Sequence, residues 1–180
     1  MSVFRPVPVL PVVVPLAVLA LATLLVVLRR RGTLTVPRSA VGLALAVYVA
    51  GIVANTVFPI YLDLPTRDTT WSTGLNLEPL VGYEPADAVT NVLVFVPLGL
   101  LVALVFPRGA WLRAVLAAAA VSLTIEAVQL VTARTLGAGH VADVNDLFFN
   151  VVGGAVGVGL LALLSHDARL HRPLDRFRWT

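Results

Sequence analysis

Five long apolar stretches, separated by short polar joints, divide this chain. A transmembrane helix needs about 20 mostly apolar residues, because the hydrocarbon core of a bilayer is about 30 Å thick. The stretches that meet this requirement are Val7–Leu28, Ala40–Ile60, Ala88–Phe106, Ala110–Val131 and Leu147–Leu164. The third and fifth are short, which predicts little tilt or a start inside the interface. The pattern predicts an all-α, polytopic membrane helix bundle with about five transmembrane helices, in which residues 1–180 form a single integral membrane domain.

Composition supports the membrane assignment. With 58% hydrophobic residues, 13% charged residues and a mean hydropathy of +0.92, the chain is too apolar for an ordinary soluble domain. It has no cysteine, which excludes a disulfide, a thiolate metal site and a cysteine nucleophile. The pI of about 10.2 is typical of nucleic-acid-binding proteins, but all 13 basic residues are arginines and most flank the apolar stretches. We therefore expect the lipid bilayer, and not nucleic acid, as the partner of this chain.

The distribution of arginine predicts the orientation. Ten of the 13 arginines fall on one side if the joint at residues 29–38 is cytoplasmic, and only Arg5, Arg67 and Arg134 fall on the other. The N-terminus is then outside and the C-terminus cytoplasmic. Residues 165–180 form a basic cytoplasmic tail that we expect to contact anionic lipid. The acidic joint at residues 61–87 lies outside and is expected to cap the outer face.

Polar side chains recur at helical spacing near the predicted outer ends of the last three long helices. They are Asn91 on the third helix, Ser122, Glu126 and Gln129 on the fourth, and Asp143, Asp146 and Asn150 on the fifth. A carboxylate inside a membrane is costly unless it is protonated, paired or hydrated, so Glu126 marks a functional site. Its candidate partners are Gln129, Arg134 and His140.

Several of these residues also have a purely structural interpretation. A polar side chain in Asp143–Asn145 can simply cap the fifth helix. Gly153 and Gly157, four residues apart, favour close helix packing over chemistry. Pro97 is interpreted first as a kink, and Arg134 as an interfacial residue that extends its charge toward the headgroups.

Four motifs in the second half of the chain combine polar residues with proline and glycine. They are Asn91-x-x-x-Phe95-x-Pro97-x-Gly99, Glu126-x-x-Gln129, Asp143-x-x-Asp146-x-x-x-Asn150-x-x-Gly153, and Asn76-Leu77-Glu78-Pro79-Leu80. These motifs resemble those of the VanZ-like family, named for a teicoplanin-resistance protein, which has an aromatic residue in place of Leu80. The resemblance runs from about Asn76 to Gly157 and indicates a VanZ-like core at about residues 76–164.

One position departs from the family pattern. The family has an arginine shortly before the aspartate block, close to where this chain has His140. Either Arg134, six residues earlier, reaches back, or His140 takes the role. A histidine there would make the site sensitive to pH, because an unperturbed imidazole titrates near pH 6.5.

The resemblance implies a bacterial protein of the plasma (inner) membrane that alters susceptibility to glycopeptide antibiotics of the teicoplanin type. We expect a noncatalytic site at the outer leaflet, without cofactor or resident metal, that binds a lipid headgroup or a cell-envelope precursor. The residues expected to line an outward-facing pocket are Asn91, Glu126, Gln129, Asp146 and Asn150, with Arg134 or His140 balancing charge. Outward helix N-termini favour an anionic ligand, whereas the carboxylates oppose it, so the sign of its charge stays open.

Two alternatives remain. One is a membrane enzyme that uses Glu126, Asp146 and His140 on a lipid-linked substrate, directly or through a divalent cation. We predict no catalytic residues, because the chain carries neither a serine nucleophile elbow nor an H-E-x-x-H motif. The other is a structural membrane partner protein whose polar residues lock the bundle. A chain of five helices without an internal repeat disfavours transport.

Overall fold

Five helices that are long and apolar enough to cross a membrane dominate the computed structural model, which describes residues 5–62, 75–136 and 142–180. In chain order, the helices are α1 (Val9–Arg30), α2 (Val36–Thr56), α3 (Pro85–Val105), α4 (Trp111–Leu136), α5 (Val144–His166) and the short α6 (His171–Asp175). The two-residue strands are β1 (Arg5–Pro6), β2 (Tyr61–Leu62), β3 (Leu75–Asn76) and β4 (Ala142–Asp143). β1 pairs with β2 antiparallel, and β3 pairs with β4 in parallel. The predicted all-α, five-span fold is confirmed, and the chain is a multi-pass membrane protein.

The expectation of short third and fifth spans is wrong. α3 has 21 residues and α5 has 23, because each begins with a polar turn that a hydropathy window leaves out. Pro85 occupies the start of α3, where its fixed φ suits a helix and its missing N–H costs nothing. Asp143 caps α5 by accepting a hydrogen bond of 2.8 Å from the backbone N–H of Asn145.

α3 and α5 make the most extensive helix pair and approach each other at backbone distance. A Cβ atom at Gly153 would collide with the carbonyl of Val92, and one at Gly157 with the carbonyl of Val96. A Cβ atom at Gly99 on α3 would likewise collide with the backbone carbonyl of Gly154. The motif glycines therefore lie in the contact that positions the start of α5 against α3. Phe95 is buried beside them, and α3 continues on both sides of Pro97.

Arginine-bearing segments meet at one end of the bundle, which we call the arginine-rich end. Arg38, near the start of α2, donates to the carbonyl of Arg178 over 2.5 Å. Arg178 in turn donates to the hydroxyl of Ser165 over 2.9 Å, and Arg108 pairs with Asp175. The arginine bias of the sequence predicts that this end is cytoplasmic.

The end of the basic tail packs onto the bundle rather than lying free for lipid. Arg178 and Trp179 are buried. The backbone N–H of Trp179 donates to the carbonyl of Leu104 over 3.0 Å, and its indole N–H donates to the carbonyl of Arg38 over 3.1 Å. The tail arginines that stay exposed are Arg169, Arg172 and Arg176. Only this part of the tail suits the expected contact with anionic lipid.

Candidate functional site

The start of α5 organises the opposite end of the bundle, which we call the acidic end after Glu126, Asp143 and Asp146. The backbone N–H of Asp143 donates to Glu126 Oε2 over 2.9 Å. The Asp143 carboxylate caps α5 and accepts from Asn76 Nδ2 over 2.9 Å. Because β3 pairs with β4 beside it, the segment carrying Asn76 is joined to α5 through both backbone and side chain.

Among the expected partners of Glu126, this geometry corrects Gln129. Its side chain is 8% exposed, and one of its oxygens is satisfied by the backbone of Asp143. Gln129 does not bond to it but donates to the carbonyl of Thr56 on α2 over 2.8 Å. Arg134 is partly buried near the end of α4, and His140 lies outside the described residues. Which of these two fills the position of the family arginine stays a prediction.

A second group of polar side chains joins α3 to α5. Asn91 Nδ2 donates to Asp146 Oδ1 over 2.6 Å and lies 2.7 Å from the Tyr83 hydroxyl oxygen. That hydroxyl donates to Asp146 Oδ1 over 2.8 Å, while the Tyr83 ring stacks on Phe149 with centroids 5.3 Å apart. The pKa of Tyr83 is raised above its ordinary value of 10.0. Desolvation is the largest cause, and the hydrogen bond to Asp146 and the charge of Asp146 act in the same direction. The tyrosine therefore remains a hydrogen-bond donor at neutral pH.

Sequence reasoning missed Tyr83 and Asn145. Nothing in the local sequence of Tyr83 indicates that its hydroxyl contacts a distant carboxylate. Asn145 is 2% exposed, and its Oδ1 accepts the backbone N–H of Leu80 over 2.7 Å. Its Nδ2 donates to Asp143 and to the carbonyl of Glu78. Asn145 thus holds the Asn76–Leu80 motif on the bundle. Within this motif, Leu80 has a φ of 63°, which L-residues rarely adopt.

A cavity of about 580 Å³ lies between α2, α3, α4 and α5. The polar residues around it include Asn55, Thr56, Thr90, Asn91, Glu126, Gln129, Asp146 and Asn150. The apolar residues around it include Val47, Ile52, Val94, Phe95 and Ile125. Asn150 also donates to Ser122 on α4 over 3.0 Å, in a buried contact that fixes α5 against α4 beside the cavity.

The structure brings five of the predicted site residues around this one cavity. They are Asn91, Glu126, Gln129, Asp146 and Asn150. Asn76 and Asp143 lie behind these residues, in the hydrogen bonds that hold the outer segment to α5. Residues 63–74, part of the joint expected to cap the pocket, lie outside the described ranges.

Within the described ranges, no group of three or more histidine, aspartate or glutamate side chains is arranged to hold a metal ion. The cavity contributes two carboxylates, those of Glu126 and Asp146. The geometry of these residues thus adds no argument for the cation-dependent enzyme considered above.

The fold and the site define a multi-pass membrane protein with an acidic, partly apolar cavity beneath one end of its helix bundle. The VanZ/LLP1 family model matches residues 16–165, and the chain belongs to that family. Protein VanZ of Enterococcus faecium is 29% identical over 133 residues, which make up 73% of this chain and 79% of that protein. No solved structure matches the chain. The resemblance drawn from the four motifs is confirmed, and the family match also includes most of α1 and all of α2.

Proposed function

We propose that this protein binds a lipid-linked component of the cell envelope in the cavity at the acidic end, without catalysis, at the outer leaflet of the plasma (inner) membrane. The observation that carries the proposal is the amphipathic character of the cavity. Asn55 and Thr56 line its wall near the end of α2, whereas Val47 lines it nine residues earlier. At 1.5 Å per residue, Val47 and Thr56 are about 14 Å apart along the axis of α2. A polar headgroup fits the first region and the start of an acyl or prenyl chain fits the second.

The cavity is open on a side that a bilayer would cover. Val47, Gly51 and Asn55 follow one another along one face of α2, line the cavity and are exposed. Thr90 is exposed on the facing side of α3. Since lipid surrounds the helices at this depth, a ligand enters between α2 and α3 from within the leaflet. Tyr48 joins the two helices beside this opening by donating to the carbonyl of Val94 over 2.9 Å.

The hydrogen bonds of the acidic residues favour binding over catalysis. Asp143 is occupied by its cap and by Asn76, and one oxygen of Asp146 accepts from both Tyr83 and Asn91. One oxygen of Glu126 holds the backbone of Asp143. These bonds fix the positions of the carboxylates, as a preformed binding site requires.

In the cell, we infer that occupancy of this cavity changes how the envelope presents its components to glycopeptides. The family resemblance implies an effect on teicoplanin susceptibility, and the chain is similar to Protein VanZ of Enterococcus faecium. The arginine-rich end is cytoplasmic in this proposal, which places the acidic end at the outer leaflet.

A pair of glycine substitutions tests whether the cavity carries the function. Gly51 lines the cavity opening, and a Cβ added there meets no atom within 4 Å, so Gly51→Phe fills the opening without a backbone clash. Gly159 on α5 is equally unobstructed and exposed but does not line the cavity, so Gly159→Phe is the matched control.

Four single variants are expressed separately in a teicoplanin-sensitive host, and the membrane level of each is quantified. They are Gly51→Phe, Gly159→Phe, Glu126→Gln and Asp146→Asn. We expect wild type and Gly159→Phe to shift susceptibility and Gly51→Phe to lose the shift at an equal membrane level. Full protection by Gly51→Phe would exclude the cavity as the site. If wild type itself causes no shift, the glycopeptide part of the proposal fails for this chain.

A further inference from the structure

We propose that the cavity selects a ligand carrying a primary ammonium group. This inference deepens the proposed function and rests on it. The ammonium belongs either to a lipid headgroup or to an amine-bearing envelope precursor, and the chemistry that recognises it is the same in both.

The charge of the cavity wall is the first support. Its described residues include the carboxylates of Glu126 and Asp146 but no arginine or histidine, and the chain contains no lysine. An anionic group placed there would be repelled by each of these side chains that is ionised, and repulsion is poorly screened in a region of low dielectric constant. A cation is attracted by the same arrangement.

Buried acceptors without donors provide independent support. Gln129 is 7% exposed and Asn150 is 5% exposed, and both line the cavity. Among the described residues, neither Gln129 Oε1 nor Asn150 Oδ1 has a hydrogen-bond partner. The orientation of the Gln129 amide is fixed, because the Thr56 carbonyl can only accept and must face the NH₂ group. Its oxygen is therefore a buried acceptor that no described residue serves, on a residue that lines the cavity.

An ammonium group matches both observations. It carries a positive charge and three N–H donors, so it can both neutralise a carboxylate and donate to an amide oxygen such as Gln129 Oε1. A hydroxyl offers one donor and no charge, and a quaternary ammonium offers charge and no donor. A divalent cation generally takes six or more oxygen ligands with several carboxylates, and the described residues provide no such cluster.

The test uses the purified full chain in detergent and measures binding by native mass spectrometry and by the shift in melting temperature. The lipid probes are short-chain phosphatidylethanolamine, phosphatidylcholine and phosphatidylglycerol, which present an ammonium with donors, a cation without donors, and an anion with hydroxyls. A soluble peptide bearing one lysine side chain tests the precursor source, and Mg²⁺ and Ca²⁺ test a metal occupant.

We expect the ethanolamine lipid or the lysine peptide to bind at least about tenfold more tightly than the other two lipids, as the loss of one charge-assisted hydrogen bond implies. Whichever of the two probes binds identifies the source of the amine. Gln129→Met and Glu126→Gln should each remove most of this preference. Asp87→Asn, which changes an exposed carboxylate at the same end of the molecule that does not line the cavity, should keep it.

The outcomes separate this inference from the proposed function. Equal binding of all three lipids, blocked by Gly51→Phe, would overturn the ammonium preference and leave the lipid-binding cavity intact. Stabilisation by Mg²⁺ or Ca²⁺ without any amine preference would also overturn it. If no lipid and no peptide binds, and Gly51→Phe behaves as wild type, both proposals fail.

Discussion

At the residue scale, the polar side chains of the acidic end divide into two groups. Asp143 and Asn145 make bonds to the backbone or to the Asn76–Leu80 segment and position other parts of the chain. Gln129 and Asn150 line the cavity, and each uses its amide nitrogen to hold a neighbouring helix while its buried oxygen has no described partner. Substitutions in the first group should affect folding, whereas substitutions in the second should affect ligand binding more than folding.

Tyr83→Phe tests the contact between Tyr83 and Asp146 at one atom. The variant keeps the ring that stacks on Phe149 but loses the hydroxyl that donates to Asp146. Because a hydrogen bond to a charged group contributes about 2 kcal/mol, we expect a loss of unfolding free energy of that size. Chemical denaturation in detergent measures it, and Tyr61→Phe serves as a control, since no side-chain hydrogen bond is described for Tyr61. Equal stability of Tyr83→Phe and wild type would show that the Asp146 contact contributes nothing.

Because of the Tyr83 hydroxyl, the stability of the folded protein should depend on pH in the alkaline range. Since its pKa is raised in the folded protein, the contribution of Tyr83 is fully present below the unfolded pKa of about 10 and is lost as pH rises above it. Wild type should therefore lose stability faster than Tyr83→Phe above about pH 10, with parallel curves below. Denaturation midpoints from pH 7 to pH 11 measure the difference. Curves that stay parallel throughout would contradict the raised pKa.

At the scale of elements, the contact between α3 and α5 decides whether the site assembles. Gly153→Ala places a methyl group against the carbonyl of Val92, so the two helices must separate. Overpacking of this kind costs about 1–3 kcal/mol or more, and we expect a corresponding loss of stability together with a lower membrane level.

The matched variant is Gly159→Ala on the same helix, where the added methyl group meets no atom within 4 Å. There the better helix propensity of alanine should leave stability unchanged or raise it by up to about 1 kcal/mol. Thermal unfolding of both variants in one detergent compares them. If both alanines behave alike, the close approach of α3 and α5 does not limit stability.

At the scale of the whole molecule, the C-terminal tail holds the arginine-rich end together. Trp179 contacts the start of α2 and the end of α3 through two hydrogen bonds and a buried ring. Trp179→Ala should therefore cost about 3 kcal/mol of unfolding free energy, as truncation of a buried tryptophan does. Phe177→Ala, two residues earlier and 38% exposed, should cost clearly less. Equal losses in the two variants would argue against a specific role for Trp179.

The orientation is tested on the complete chain. Since the chain has no cysteine, Arg31→Cys and Glu84→Cys each introduce a unique thiol at exposed positions on opposite ends of the bundle. A membrane-impermeant maleimide added to intact cells should label Glu84→Cys, and Arg31→Cys only after lysis. The reverse pattern would place the acidic end in the cytoplasm and remove the basis for an outer-leaflet function.

The membrane class, the five spans and the polar faces of α3, α4 and α5 follow from the sequence alone. These features depend on local apolar length and on a fixed helical period, which can be read without knowing any contact. The spacing of Glu126 with Gln129, and of Asp146 with Asn150, was therefore sufficient to place these residues on common faces. The motifs were sufficient to indicate the family.

Which atoms form hydrogen bonds with each other depends on the tertiary structure. Tyr83 and Asp146 are 63 positions apart in the chain, and Glu126 is satisfied by a backbone N–H rather than by a side chain that a motif would reveal. The docking of Trp179 likewise depends on carbonyl groups of distant helices. The physical reason is the same in each case: a hydrogen bond needs two groups within about 3 Å, and the folded backbone alone brings such groups together.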